Sequence, residues 1–282
     1  MSEAAPTLGE IQKRSEEFLA RKGVENPRGN ARRLLAKGLG LTPMQVVLQF
    51  DRPLLEPEIA ALRALVVRRS QGEPLQHIEG SVAFRHLEIF SDARALVPRP
   101  ETEILVDLAL ERLAGVPKAR VHEVGVGTGC VALSLRHERA DLVVTGSDIS
   151  PSALELAAEN AKRLGIWLPL TQTDLLEGIA PSSLDAVVSN PPYIAHADLA
   201  GLSVEVKADP VLALDGGPDG LDLIRRLVEQ AHAVLVADGW LLVEHGFDQG
   251  ERTRALCGEG FKEVRTVQDL SGTDRFLVAR KA

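Results

Sequence analysis

Apolar residues recur with a helical period through the first quarter of the chain. Leu8, Ile11, Ser15, Phe18 and Leu19 share one face, and Gly23 closes that segment. Arg28 to Lys37 reads as a second helix, ended by Gly38 and Gly40. Thr42-Pro43 opens a third, with the threonine as cap and the proline in the first turn. Glu56 to Arg69 forms a fourth, with Ile59, Leu62, Leu65 and Val66 on its apolar side. Short connections between four such segments predict a small all-α bundle over residues 1–75. The period then drops to two. Over residues 76–98, Val82, Phe84, Leu87, Ile89 and Phe90 sit among polar neighbours, with Gly80-Ser81 and Arg85-His86 as bends. That pattern predicts a β-hairpin linking two domains.

From residue 99 to 282, strands and helices alternate. The expected strands are Arg120–Val124, Leu142–Ser147, Trp167–Thr171, Leu184–Ser189, Trp240–Glu244, Glu263–Val267 and Arg275–Ala279. Helices are expected between them, notably Ser152–Leu164 and Gly220–Ala237. The order implies an α/β domain with a mostly parallel seven-stranded sheet and helices on both faces. The last two strands lack an intervening helix and are expected to pair antiparallel. No internal repeat or low-complexity tract interrupts this order.

Composition narrows the chemistry. The chain has 282 residues, is 45% hydrophobic and 26% charged, and can bury a core without staples. Its two cysteines, Cys130 and Cys257, supply neither a disulfide framework nor a zinc site, so no metal is expected. They fit a reducing cytoplasm. The start of the chain lacks the pattern of a signal peptide, and no apolar stretch is long enough to span a membrane. The net charge of −8 is uneven. Residues 1–75 hold 12 basic and 9 acidic side chains, and the remainder holds 20 and 31. So acidic a second half argues against a duplex DNA substrate, which needs many phosphate contacts, and no direct nucleic-acid partner is expected. The weakly basic front half suits an acidic protein partner, and ordinary surface variation accounts for it equally well.

Val121 to Gly129 runs from a strand into a turn with glycine at positions 125, 127 and 129. Glycines there admit positive φ and close approach of a ligand. The spacing is Gly-x-Gly-x-Gly, not the Gly-x-Gly-x-x-Gly of pyrophosphate sites. That suits a ligand with no phosphate to place, such as S-adenosyl-L-methionine; the other reading is a structural tight turn. Val126 and Thr128 stand between these glycines. Asp148 ends the next strand, where a carboxylate accepts both ribose hydroxyls; its other reading is a cap for the following helix. Asp174 follows the third strand and is placed to accept from an adenine amino group, or simply to form a turn, with Leu175 against the ring. Glu123 either reaches the ligand's ammonium group or is a strand-end carboxylate facing water.

Asn190-Pro191-Pro192-Tyr193 follows the apolar run Leu184 to Val188. Proline has a fixed φ and no N–H, so the lip is stiff and presents acceptors. Such a lip suits a planar NH2 group, which points to methylation of an amide or amino nitrogen. The Asn190 side-chain oxygen and the Pro191 carbonyl are expected to take its two hydrogens, with Tyr193 against its plane. His122, His137, His196, His232 and His245 form no triad pattern and read as structural or solvated. Arg99, Glu101 and Glu103 either order the pocket edge or cap the helix carrying Ile104, Leu105 and Leu108.

The chain resembles the peptide-chain release factor glutamine methyltransferases, the HemK-like family, over nearly its whole length. The resemblance rests on Gly72 to Ile78, Val97-Pro98-Arg99-Pro100-Glu101-Thr102-Glu103, Gly125 to Gly129 and Asn190 to Tyr193. It extends to Leu214-Asp215-Gly216-Gly217 and to Asp269 through Phe276. It implies a class I, Rossmann-like, S-adenosyl-L-methionine-dependent methyltransferase domain over residues 99–282. The helical domain before it would recognise the release factor. The reaction implied is methyl transfer to the N5 amide nitrogen of a glutamine, acting in translation termination and releasing S-adenosyl-L-homocysteine. By the same resemblance, Gly125 to Gly129 would line the cofactor turn, Asp148 would hold the ribose and Leu175 would flank the adenine. Asn190 would touch cofactor and substrate, and Asn190 to Tyr193 would grip the glutamine. The sequence departs from the family pattern at Glu123, where Asp is usual, and at Leu175, where an aromatic is common; both departures bear on cofactor affinity more than on reaction type. A monomer is expected. A nucleic-acid amino methyltransferase using the same lip is the alternative reading. A nicotinamide oxidoreductase and a catalytically silent scaffold fit less of the chain.

Overall fold

The computed structural model describes residues 5–282. The chain divides into two compact units, one running to Gly80 and including Ser203–Ala208, the other comprising Ser81–Leu202 and Asp209–Ala282.

The first unit holds helices α1 (Leu8–Arg21), α2 (Pro27–Leu39), α3 (Pro43–Leu48), α4 (Glu56–Ser70) and α5 (Leu75–Glu79). Thr7 starts α1 with a reciprocal cap: its hydroxyl accepts from the Glu10 N–H at 3.3 Å, and the Glu10 carboxylate accepts from the Thr7 N–H at 2.9 Å. Thr42 and Gln45 repeat the device at α3. Leu8, Leu35, Val46, Leu54 and Leu62 form one core cluster; Leu19, Leu34, Val66, Leu75 and Ile78 form a second. Each fully buried leucine contributes about 1.5–3 kcal/mol. Arg69 is buried and fully engaged, donating to Asn30 Oδ1 at 2.7 Å, the Glu73 carbonyl at 3.0 Å and Glu205 Oε2 at 2.5 Å. A buried guanidinium needs this set, because leaving one charge unpaired costs several kcal/mol.

Residues 76–98 differ from the expected continuous hairpin. Leu75 and Ile78 lie three apart and bury in the helical core, so 75–79 folds as α5, ended by Gly80 at φ 80°. Alternation wins only afterwards, in β1 (Ser81–Phe84) and β2 (Leu87–Phe90), which pair antiparallel. Phe84, Leu87 and Ile89 are buried in the core of the second unit, so the hairpin is part of that unit's packing.

The second unit is a seven-stranded sheet in the order β5-β4-β3-β6-β7-β9-β8. Its strands are β3 (Arg120–Val124), β4 (Val143–Asp148), β5 (Leu170–Gln172), β6 (Leu184–Ser189), β7 (Leu235–Glu244), β8 (Phe261–Gln268) and β9 (Asp274–Lys281). Neighbours from β5 to β7 run parallel, and β9 runs antiparallel to both β7 and β8. The helices are α6 (Glu103–Arg112), α7 (Cys130–Glu138), α8 (Pro151–Leu164), α9 (Asp222–Val234) and α10 (Gly250–Leu256). Strand residues alternate between the two faces. In β6, Ala186 and Val188 join Leu105 of α6 and Val131 of α7, while Val187 joins Ile224 and Leu227 of α9. The third expected strand is shorter than its apolar run. Pro169 cannot donate to a ladder, so pairing begins at Leu170 and Trp167 stays 77% exposed. Among the described residues, no helix is long and apolar enough to cross a membrane.

Strand β3, inside the sheet, carries a buried histidine, His122. The Ser147 hydroxyl donates to the Leu175 carbonyl at 3.0 Å, so its oxygen accepts from His122 Nε2 at 2.9 Å. His122 Nδ1 then accepts from the Thr145 hydroxyl at 2.7 Å. Burial lowers the imidazole pKa from 6.5 to about 4. The unfolded chain therefore takes up this proton first as pH falls. The stabilisation is complete above pH 6.5 and is lost as pH falls towards 4, with about 1.4 kcal/mol per pH unit. Denaturant titrations at pH 7 and pH 4.5 should show wild type losing more stability than His122→Gln. Equal losses would exclude His122 as the source.

Candidate active site

Strand order reverses at β3 and β6, so a crevice opens beyond their carboxyl ends, the place where open α/β sheets bind ligands. The glycine turn leaves β3 there. Gly127 has φ 52°, and its N–H donates to Asp148 Oδ2 at 3.0 Å. Gly129 has φ 83° and starts α7; a Cβ on it would stand 3.1 Å from Leu133 Cδ1. The Val126 N–H donates to the Ser147 carbonyl at 2.9 Å, fastening the turn to β4. Asn160 of α8 fastens it from the other side. Its Nδ2 donates to the Thr128 carbonyl at 3.0 Å and the Phe90 carbonyl at 2.9 Å, and its Oδ1 accepts from the Phe90 N–H at 2.8 Å. A lone Asn in an amphipathic helix gave no sequence signal for that role.

One cavity gathers most of the expected residues. Glu123, Gly125, Val126, Gly127, Thr128 and Asp148 line one part of it. Asp174, Leu175, Asn190, Pro191 and Pro192 line the rest. Gly129 and Tyr193 are not in its wall. Gly129 is turned into the helix start, and Tyr193 packs against the apolar cluster around α9 with its hydroxyl 3.5 Å from Glu244 Oε1. The expected packing of Tyr193 on an amide plane therefore has no support from its placement. Nor is the Tyr193 carbonyl an outward acceptor, since Gln249 Nε2 donates to it at 2.9 Å.

Contacts bear on three of the alternatives. Glu123 is buried, not water-facing, and accepts from the Ala132 N–H at 2.7 Å. Asp148 does not cap α8; Ser150 does, accepting from the Ala153 N–H at 3.3 Å, while Asp148 Oδ1 accepts from the Ser150 N–H at 2.9 Å. Asp174 has its Oδ2 engaged by Arg226 Nη2 at 2.7 Å, a partner 52 residues away that also lines the cavity. Leu175 sits at φ 54°, a conformation leucine rarely adopts, held by the Ser147 hydroxyl on its carbonyl.

The lip is held from behind. Ser189 Oγ donates to the Val124 carbonyl at 2.8 Å, joining β6 to β3 where the crevice opens. Ile194 pairs with 214–216: its N–H donates to the Leu214 carbonyl at 3.1 Å, and its carbonyl accepts from the Gly216 N–H at 2.8 Å. A Cβ on Gly216 would stand 2.8 Å from Tyr193 Cα, so the Leu-Asp-Gly-Gly run lets two backbones touch. Arg99 donates to buried Asp209 at 2.6 Å, and Asp209 also accepts from the Val97 N–H at 3.2 Å. The Arg-Pro-Glu-Thr-Glu run thus orders the cavity edge through Arg99. Glu103 faces the other way and accepts from the Arg85 N–H at 2.9 Å.

The electrostatics suit a ligand with a cation and a diol. Among the described residues, neither Glu123 nor Asp148 forms an ion pair. Burial holds Glu123 well above the ordinary carboxylate range, with the nearby Asp148 charge adding to it. Burial likewise raises Asp148, against the N–H donors of Gly127 and Ser150. A ligand ammonium beside Glu123 and hydroxyls on Asp148 would relieve both. S-adenosyl-L-methionine carries each of these groups, so the residues fit it.

Comparisons with known proteins point the same way. Residues 10–80 match the family model described as PrmC N-terminal domain, and residues 100–209 match the methyltransferase small domain. A protein of Geobacter sulfurreducens named release factor glutamine methyltransferase is 42% identical over 265 residues, covering 93% of each chain. One of the same name from Deinococcus radiodurans is 42% identical over 264 residues, covering 94% of this chain and 95% of that one. Among solved structures, the Thermus thermophilus 16S rRNA N2 G1207 methyltransferase in complex with AdoMet and guanosine aligns with a TM-score of 0.53. At 19% identity, over 72% of this chain and 50% of that one, that likeness speaks for the fold alone.

Proposed function

Since the chain belongs to the release factor glutamine methyltransferase family, we propose that it methylates the N5 amide nitrogen of a glutamine in peptide chain release factors, in translation termination. The observation that carries this reading is the single cavity shared by the glycine turn, Asp148 and the Asn190-Pro191-Pro192 lip. Bound S-adenosyl-L-methionine supplies an electrophilic methyl carbon on a sulfonium and leaves as S-adenosyl-L-homocysteine. Asp148 would accept the ribose hydroxyls, Glu123 would face the ammonium, Gly125 to Thr128 would line the ligand, and Leu175 would cover the adenine.

An amide nitrogen is a weak nucleophile because its lone pair is delocalised into the carbonyl. In this reading Asn190 Oδ1 and the Pro191 carbonyl accept its two N–H bonds and turn the nitrogen towards the methyl. Alignment of two bound reactants supplies about 7–11 kcal/mol of a barrier. Both acceptors strengthen as positive charge develops on nitrogen, so they favour the transition state over the ground state. The methylated, protonated amide is a strong acid, and its proton passes to water without a dedicated base.

The helical unit is the release-factor recognition module in this reading. Its support is the basic balance of residues 1–75 and the exposed apolar side chains of Met44, Leu48 and Leu55. The test is incubation of the full chain with methyl-labelled S-adenosyl-L-methionine and either a release factor, a short glutamine peptide from it, or nucleic acid. Label on one glutamine of the release factor, with a much higher KM for the peptide, is expected. Label in nucleic acid would overturn the substrate reading. Equal KM values would overturn the recognition role.

A further inference from the structure

Thr102 stands in the cavity wall beside Asn190, and Glu244, the last residue of β7, lies behind it. Both are almost fully buried, at 3% and 2% exposure. Neither entered the sequence-based site. The Thr102 hydroxyl donates to Glu244 Oε2 at 2.8 Å. Asn190 Nδ2 donates to Thr102 Oγ1 at 3.1 Å. We propose that Thr102 and Glu244 form a relay that holds the Asn190 side chain with its oxygen towards the substrate amide, an inference that rests on Asn190 being the acceptor described above.

The direction of the relay follows from counting protons. An ionised carboxylate only accepts. Thr102 has one hydroxyl proton, and Glu244 takes it. The hydroxyl oxygen then remains solely as an acceptor, so Asn190 must present its NH2 to it. Its Oδ1 is thereby turned away from Thr102. An asparagine without this partner presents donor and acceptor about equally, and a donor aimed at a substrate NH2 repels it. The relay therefore makes Asn190 an acceptor before substrate arrives, which is preorganisation in the sense that matters for catalysis. Thr102 and Glu244 are positioning residues; Asn190 alone of the three meets the substrate.

Protonation of Glu244 would undo the count, because a carboxylic acid can donate to Thr102. Burial raises the Glu244 pKa from 4.5 to about 7. The groups facing it are Thr102, Tyr193, Glu101 and Arg275, with Cys130 nearby. Arg275 and the two hydroxyl donors favour the ionised form, and Glu101 opposes it. Turnover should therefore fall as pH drops through about 7.

The test compares four full-length variants with wild type by kcat, by KM for the release factor and by affinity for S-adenosyl-L-homocysteine. Thr102→Val keeps the shape and removes the relay. It should lower kcat about tenfold or more while the affinity for S-adenosyl-L-homocysteine stays within about twofold. Thr102→Ser should restore kcat to within about threefold of wild type. Glu244→Gln can accept from Thr102 through its amide oxygen or donate to it through its NH2, as a protonated Glu244 can. It should turn over less than wild type at pH 8 and lose the fall near pH 7. Asn190→Ala reports on the underlying reading. If Thr102→Val turns over normally while Asn190→Ala does not, the relay is wrong and the acceptor role stands. If Asn190→Ala also turns over normally, the acceptor role itself fails. A loss in Thr102→Ser as large as that in Thr102→Val would mean that the hydroxyl is not what counts, which overturns the proposal. Should Thr102→Val not fold, a pH profile of Glu244→Gln that matches wild type overturns it independently.

Discussion

Asn190→Ala is expected to lower kcat for release factor methylation by about 10²–10³-fold, the scale seen when one preorganised group at a developing charge is removed. Folding should survive, because Asn190 sits after the last residue of β6, and that strand is fastened to β3 by the Ser189 hydroxyl. Affinity for S-adenosyl-L-homocysteine should change only a few-fold, since Asp148 and the glycine turn are untouched. The prediction is about which kinetic constant moves. An interaction equal in ground and transition states raises KM and leaves kcat alone. An acceptor that strengthens as the amide nitrogen gains charge acts mainly on kcat. Single-turnover rates at saturating release factor would separate the two. A normal rate with a raised KM would reduce Asn190 to a binding residue.

Asp148→Ala should act on the other substrate. The carboxylate accepts backbone N–H bonds from Gly127 and Ser150, one on each oxygen, and each oxygen retains a lone pair for a ribose hydroxyl. A hydrogen bond to a charged group contributes about 1.5–3 kcal/mol, so losing two should weaken S-adenosyl-L-homocysteine binding about 100-fold or more. The released Gly127 N–H adds to the loss by loosening the turn. Calorimetric titration gives the affinity directly. The thermal stabilisation by ligand should shrink in step, because it depends on the ratio of ligand concentration to Kd. Affinity within twofold of wild type would remove Asp148 from the ribose. Intact affinity combined with lost turnover would place it in the chemistry.

Much of the fold was legible because its signals are local. Leu184–Ser189 was expected and found with the same bounds, as was Arg120–Val124; the first is a largely apolar run, and each is followed at once by a turn residue, Asn190 or Gly125. The Thr42 cap and the Gly23 stop were equally readable, because a cap acts within one turn of chain. The hairpin expected over 76–98 shows the limit. Residues 76–79 fall within the span expected to alternate, and burial of Ile78 beside Leu19 and Leu34 decided for the helix. Trp167 shows it again: an apolar residue invites a strand, yet the next-but-one residue is a proline without an N–H for the edge ladder.

The candidate site divides along the same line. The glycine turn, Asp148 and the Asn-Pro-Pro lip could be picked out because each lies at the end of its own strand, and parallel strands end on one side. What Asp174, Tyr193 and Glu123 do there could not be read in that way. Arg226 takes one oxygen of Asp174 from 52 positions away, and Gln249 takes the Tyr193 carbonyl from 56. Thr102 meets Asn190 across 88 positions and Glu244 across 142.

Sequence alone determined most of the order of strands and helices, the turn of positive φ that ends β3 and the stiffness of the proline lip. All three depend on the steric and hydrogen-bonding properties of neighbouring residues. Tertiary structure alone decided which polar groups became partners, and so which way the Asn190 amide points. That choice belongs to the strand order, which sets β3 beside β6 and β6 beside β7 and encloses their ends away from water. In that enclosure a buried donor must find an acceptor, and only the folded chain supplies it.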